Sequence, residues 1–389
     1  MNRIYEIIIT SLRSVICADE NALKNIGEID TETLQEVYNL AKKHDMAHLV
    51  GVALEKKGAL DIDKSIKEKF AKEQYVAIYR YENIRYEINR ISSLFEREHI
   101  QYVKLKGAAI RDLYPEPWMR TSCDIDILIH ENDIEKASDL LVKELNYRRE
   151  GEKHFHDVWF YSESGIHLEL HFNIKETIDC LDRVLEQIWE YTTDTDSSCR
   201  EMREEFLVYH LIAHTAYHFI GGGCGIRPFV DIYFLKEKLK YDEKAVLELC
   251  EKSKIEKFYS EVLSLSDVWF GDGTNSSLTE RMEMYICDGG TYGTKEAHIA
   301  VLQETRGGKS GYVRSRVFVS YEHLKQRYPS LKNRAFKPIY QIRRWVDVIK
   351  EGKSKSVIRE LKINHSLSDE RAKSVFELMS DLELDKYIK

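Results

Sequence analysis

The stretch Asp124-Ile125-Asp126-Ile127-Leu128-Ile129 breaks the rhythm of a chain whose other apolar residues mostly recur at spacings of three and four. Side chains of a strand point to opposite faces in turn, so Ile125, Ile127 and Ile129 enter a core while Asp124 and Asp126 share the other face. Two parallel carboxylates on one face repel, and a buried pair needs a compensating cation. Oxygen ligands at this density suit Mg2+ or Mn2+ better than zinc. Metal-assisted chemistry on a phosphate is the first expectation.

The rest of the chain organises around that strand. Residues 1–98 read as helical: Leu34-Val37-Leu40-Ala41 and Ile78-Tyr81-Ile84-Ile88-Ile91-Leu94-Phe95 carry amphipathic-helix spacing. The period changes at Ile100. A short strand is expected over Gln101–Leu105, a short helix over Gly107–Leu113 ended by Pro115-Glu116-Pro117, and a helix from about Asn132 to Leu145. Further strands are expected from His154 to Tyr161 and from Ile166 to Phe172, joined by Ser162-Glu163-Ser164-Gly165. Helical spacing then persists from Asn173 to the end. The expected fold is α/β (α+β): a small α/β unit over 99–190, between an N-terminal helical region (1–98) and a C-terminal one (191–389).

Bulk properties narrow the class. With 389 residues, 43% of them hydrophobic and 32% charged, the chain can bury a large core. No run of eighteen apolar residues offers a membrane span. The start, Met1-Asn2-Arg3-Ile4-Tyr5-Glu6, meets an acid early and lacks a small-residue cleavage site. Seven cysteines are scattered singly, without a CxxC pair, which fits reduced thiols and a cytoplasmic setting. Net charge is −8, yet Arg306–Trp345 carries eleven Lys and Arg against Glu322 alone, leaving an acidic body at −18. That balance argues against a general nucleic-acid coat; the basic segment is either a local polyanion contact or a solvated face balancing acidic neighbours.

Within 104–172 four pieces carry chemistry. Lys106-Gly107-Ala108-Ala109 lies at a strand-to-helix junction, where glycine permits close backbone approach and a helix start favours an anion. Arg120 precedes Asp124 by four residues and suits a forked contact to phosphate oxygens. Asp124 and Asp126 form the acid pair. In His167-Leu168-Glu169-Leu170-His171 the leucines face inward, so His167, Glu169 and His171 share the polar face. Glu169 would complete a three-acid platform for two divalent ions, and phosphoryl transfer needs mainly positioning and charge neutralisation of that kind.

Lys106-Gly107, Tyr114-Pro115, Arg120, Asp124-Ile125-Asp126-Ile127-Leu128 and His167-Leu168-Glu169-Leu170-His171 resemble the signature of the uncharacterised bacterial nucleotidyltransferase family within the polymerase-beta-like superfamily. Gly225-Ile226-Arg227-Pro228-Phe229-Val230-Asp231, Gly289-Gly290-Thr291-Tyr292-Gly293 and Tyr328-Pro329 are similar to its downstream marks, so the likeness runs from about 70 to 350. The resemblance implies a polymerase-beta-like sheet and transfer of a nucleoside monophosphate from an NTP, with Mg2+ or Mn2+, to a small-molecule or protein acceptor. Asp124 and Asp126 then match the metal pair, Gly107 the phosphate turn, and Glu169 the acid that activates the acceptor hydroxyl. Lys106, Gly107, Ala108 and Arg120 become the expected nucleotide contacts, with His167, His171, Arg227 and Asp231 as secondary candidates. Ala108 stands where the superfamily often has serine, and a longer gap than usual separates it from Asp124.

Rival readings stay open. The same fold can hold nucleotide or a partner protein without turnover, which Ala108 favours, or add nucleotides to an RNA end through Arg306–Arg344. His210, His214 and His218 line one helix face, which reads first as histidines packed behind a site and second as a zinc set with Cys224 and Asp231 as partners. Arg227 and Asp231, one turn apart, are expected to pair with each other. Gly221-Gly222-Gly223-Cys224-Gly225 follows a helix and lacks the GK[ST] ending, so it reads as a helix stop.

Overall fold

A computed structural model describes residues 2–151, 153–193 and 196–388. Two compact units emerge, one formed by 1–217 and 224–291, the other by 218–223 and 292–389.

The first unit begins with helices α1 (Arg3–Ile16), α2 (Thr31–Lys43) and α3 (Ala47–Lys56), then the 34-residue α4 (Lys64–Arg97). The Asp63 side chain caps α4 by accepting the Ile66 amide. Strand β1 (Tyr102–Lys104), the single turn α5 (Lys106–Ile110), β2 (Asp124–Ile129) and α6 (Ile134–Leu145) follow. Strands β3 (Arg148–Glu150), β4 (Asp157–Tyr161) and β5 (His167–His171), helix α7 (Asp179–Leu185) and β6 (Cys199–Arg200) complete the mixed α/β part. Helices α8 (Glu204–Ile220), α9 (Arg227–Lys238), α10 (Glu243–Lys252), α11 (Glu256–Phe270) and α12 (Ser277–Cys287) come after.

One six-stranded sheet has the order β3-β4-β5-β2-β1-β6. β2 runs parallel to β5 and antiparallel to β1, so the acid strand is central. Ile125, Ile127, Ile129, Leu168, Leu170, Val158 and Phe160 bury one face of the sheet. Ile84, Ile88, Ile91, Leu94 and Phe95 of α4 and Ile134, Ala137 and Leu141 of α6 pack there. Burial of so many branched side chains, each contributing about 1.5–3 kcal/mol, fixes the register of β2. A one-residue slip would send the isoleucines out and the aspartates in.

Where the expected and observed elements differ, the reason is local. β3 and β6 are absent from the expected pattern because runs of three and two residues are too short to show alternation; pairing with β4 and β1 defines them. The helical stretch expected after Asn173 is therefore interrupted by β6 and by the bridge Thr192–Met202. Residues 154–156 do not join β4, because the His154 amide turns back onto the Asp157 carbonyl at 2.9 Å. Ile78, at the head of the α4 run, is 38% exposed, and the buried stripe begins further along the helix.

The second unit is helical among its described residues, with Gln303 hydrogen-bonded to Asn364 and a small core of Leu324, Tyr328 and Leu331. The glycine run does stop α8: Gly222 and Gly223 take φ values of 128° and 115°. Basic residues of 306–345 find acids here, Arg316 with Glu360, Arg327 with Glu351 and Arg334 with Glu322. No helix of the described chain is long and apolar enough to cross a membrane.

Candidate functional site

The face of the sheet opposite α4 and α6 carries the chemistry-bearing side chains. Parallel pairing sets Asp124 beside His167, Asp126 beside Glu169 and Leu128 beside His171. Antiparallel pairing then sets Asp157, Trp159 and Tyr161 of β4 beside His171, Glu169 and His167. Period-two alternation therefore gathers three acids and two imidazoles from β2 and β5 onto one surface, extended by β4.

Asp126 lies at its centre and is 4% exposed. Its Oδ1 accepts from Lys106 Nζ at 3.0 Å, and His171 Nε2 meets the same oxygen at 3.0 Å. His171 Nε2 also lies 3.4 Å from Glu169 Oε2, and His167 Nδ1 lies 3.7 Å from Glu169 Oε1. Burial alone would raise the Asp126 pKa, but Lys106 and His171 hold the carboxyl well below its ordinary range. The converse applies to its partners. Burial disfavours the charge on Lys106, yet Asp126 and Glu169 push its pKa above the usual lysine value. His171 is likewise raised: burial opposes the charged ring, but hydrogen bonds to Asp126 and Glu169 outweigh it. Asp124 is raised by burial and by the Asp126 charge.

The donor set fits a hard divalent cation. Asp126 and Glu169 are paired across β2 and β5 with donor atoms within 4.8 Å, and Asp124 adds a third carboxylate on the same face, while His171 lies within the same distance of both as a hydrogen-bond partner. Lys106 already partly neutralises the acids. It opens α5 with φ of 44°, while the Leu105 amide bonds the Asp126 carbonyl at 3.0 Å. That backbone bond seats the ammonium against the acid face. Cys123 lines a cavity of about 370 Å3 together with Lys72, Arg80 and Thr121, so cationic side chains border space at the entry to β2.

Arg120 is held by a carboxylate from α9. Its Nε and Nη2 donate to Asp231 Oδ1 and Oδ2 at 3.2 and 2.9 Å, and Tyr114 Oη donates to Oδ1 at 2.5 Å. Arg120 and Asp231 are 8% and 2% exposed. The local Arg227–Asp231 pair expected from spacing is replaced by this contact. Arg227 instead donates to the Thr121 carbonyl at 2.9 Å and lies 3.5 Å from Asp45. Helix α9 thus clamps the segment leading into β2. Gly107 serves the same clamp, since a Cβ there would come within 2.4 Å of Arg120 Nη1. Because Asp231 fixes that guanidinium, Gly107→Ala should destabilise the protein by roughly 1–3 kcal/mol, read as a lower denaturant midpoint. An unchanged midpoint would show that Arg120 can move aside.

The histidines of α8 meet neighbouring side chains inside the fold. His214 Nδ1 meets Glu176 Oε1 at 2.6 Å, and the His210 and His214 rings lie 6.4 Å apart. The metal-capable groups among the described residues gather on β2, β4 and β5. Burial lowers the pKa of His210 to about 3, and burial together with Lys43 lowers His44 to about 4. Both rings are neutral in the folded protein, whereas unfolded imidazole protonates near 6.5. The cost is absent above that pH and grows as pH falls towards the folded values. Stability should therefore drop between pH 6.5 and 4, by up to about 1.4 kcal/mol per pH unit for each ring. A His44→Gln variant should give a flatter profile of urea midpoint against pH; an identical slope would count against burial of a neutral ring.

Three residues beside the acid face carried no sequence signal of their own. His156, Asp157 and Trp159 fell in a stretch read only as a strand. Without the β4–β5 register nothing ties Asp157 to His171.

Comparison with known proteins supports the resemblance seen in the motifs. Neither a curated protein nor a solved structure matches the chain. A family model described as uncharacterised nucleotidyltransferase matches residues 30–271, which contain the whole sheet and the acid face. The chain belongs to that uncharacterised nucleotidyltransferase family.

Proposed function

We propose that the protein transfers a nucleoside monophosphate from an NTP to a hydroxyl of a small-molecule or protein acceptor, with Mg2+ or Mn2+, on a polymerase-beta-like sheet of bacterial type. The observation that carries this reading is the β2–β5 register, which sets Asp126 beside Glu169 and leaves Asp124 on the same face. Asp124, Asp126 and Glu169 would hold the ion or ions, which supply charge neutralisation at the α-phosphate and the departing pyrophosphate. The acceptor oxygen attacks the α-phosphorus, the bond to the bridging oxygen breaks, and pyrophosphate leaves with the electron pair. Glu169 accepts the acceptor's proton, and His167 and His171 orient its carboxylate. Lys106, which holds Asp126, is a second cation available to the phosphate chain, beside the backbone of Gly107 and Ala108. Seven cysteines scattered singly along the sequence support a reducing, cytoplasmic setting.

One observation favours a second reading. The Lys106 ammonium already satisfies Asp126 Oδ1, and Ala108 offers no hydroxyl to a phosphate, as in a module that holds nucleotide without turnover. Incubation with each α-labelled NTP, Mg2+ or Mn2+ and cell extract separates the two. Transfer predicts label on one acceptor class with pyrophosphate release, and label on RNA, protein or a small molecule names that class. Calorimetric NTP binding with no pyrophosphate release would select the silent module.

A further inference from the structure

At the β4 side of the acid face, three residues that lie together carry buried atoms without hydrogen-bond partners. The atoms are Nδ1 of His156, Oδ1 of Asp157 and Nδ1 of His171. A buried polar atom left unmatched costs roughly 1–3 kcal/mol, so such a cluster asks what it is built to receive. Each of the three is held in place by its other polar atom. Trp159 Nε1 donates to Asp157 Oδ2 at 3.0 Å, and His156 Nε2 lies 3.3 Å from the same oxygen. His171 is fixed through Nε2 at Asp126. The His156 and His171 rings stack at 5.6 Å with planes 7° apart, and one donor atom from each of His156, Asp157 and His171 lies within 4.8 Å of the others.

We propose that His156, Asp157 and His171 form a second cation site, at the β4 side of the acid face, for one nitrogen-preferring divalent ion of the Zn2+ or Co2+ class. Two imidazoles and a carboxylate match the three-ligand sets that bind zinc and leave a fourth position for water or a small anion. Magnesium prefers an all-oxygen shell and is a poor competitor there. The supporting contacts are those a ligated histidine and carboxylate require. With Nε2–H donated to Asp126, the lone pair of His171 sits on Nδ1, and Trp159 orients Asp157 so that Oδ1 stays open. Asp157 and His171 are 2% and 4% exposed, while the His156 side chain is 40% exposed and gives an ion a way in. His171 thereby joins the two sites through opposite ring nitrogens. The site does not depend on nucleotide transfer.

The test is Co2+ titration of the chelator-stripped full chain in saturating Mg2+, added to compete for the carboxylates of the acid face, followed by visible absorption. The proposal expects a tetrahedral Co2+ band that saturates with a single ion and is bleached by Zn2+. Loss of supporting contacts alone weakens metal sites about 10–100-fold, so His156→Ala and Asp157→Asn, each removing a ligand, should weaken binding at least about 100-fold. Asp124→Asn should keep the band. Circular dichroism checks folding, and if one ligand variant is unfolded the other decides. The proposal is overturned if the unaltered protein shows no band, if folded His156→Ala or Asp157→Asn binds Co2+ unchanged, or if Asp124→Asn abolishes the band. A protein inactive with every NTP can still show the Co2+ spectrum, so this outcome is independent of the transfer reaction.

Discussion

Asp124→Asn is expected to cut NMP transfer by about 1,000-fold or more while leaving the protein folded. A bound metal supplies several kcal/mol of transition-state stabilisation, and each 1.4 kcal/mol is a factor of about ten in rate. Asparagine keeps the shape of the side chain but removes the negative charge. Asp124 makes this the clean variant because its carboxyl enters no ion pair among the described residues, and burial beside Asp126 already raises its pKa. Asp126→Asn should abolish transfer too, but at a cost in stability. It leaves the Lys106 ammonium and His171 ring without the carboxylate that holds both at 3.0 Å. The measurements are pyrophosphate release and the denaturant midpoint for each variant. Unchanged turnover in Asp124→Asn would end the assignment of the acid face as the site of transfer.

Breaking the Arg120–Asp231 pair should be the most destabilising single change in this region. Removing one partner of a buried ion pair strands a charge and costs about 3–5 kcal/mol. Arg120→Met or Asp231→Asn is therefore expected to lower the urea midpoint sharply, and Asp231→Asn also weakens the acceptor of the Tyr114 hydroxyl. Replacing both, as Arg120→Met with Asp231→Leu, should recover much of the loss, because an apolar pair of similar volume avoids desolvation. The double variant also decides what Arg120 does. Recovered stability with recovered transfer identifies it as a brace between α9 and the lead into β2. Recovered stability with transfer still lost would return it to the phosphate contact that its spacing from Asp124 suggested.

Much of the sheet was legible in the chain because alternation survives wherever one strand face is buried. Asp124–Ile129 is observed at its expected bounds, and β5 falls within one residue at each end. The same alternation brought Asp124, Asp126 and Glu169 onto one face, since that follows from period two once β2 and β5 are neighbours. Strand order was not legible. The contacts of Asp157 with its neighbours therefore had no signal, and neither did the edge strands β3 and β6. Arg120 and Asp231 are separated by 111 residues, a distance across which local spacing carries no information about pairing. Helical periodicity matched Arg227 to Asp231, whereas the fold turns each towards the segment before β2. Histidines four apart on α8 shared a face as expected, but their lowered pKa values follow from burial, which periodicity alone does not measure.

The most direct test of the account is anomalous diffraction from crystals grown with Mn2+ and an NTP whose α–β bridge cannot be cleaved. The account predicts a manganese peak at ligand distance from Asp124, Asp126 and Glu169, with the α-phosphate beside it. No peak on that face, with the Lys106 ammonium still seated on Asp126 and the nucleotide bound elsewhere, would contradict it.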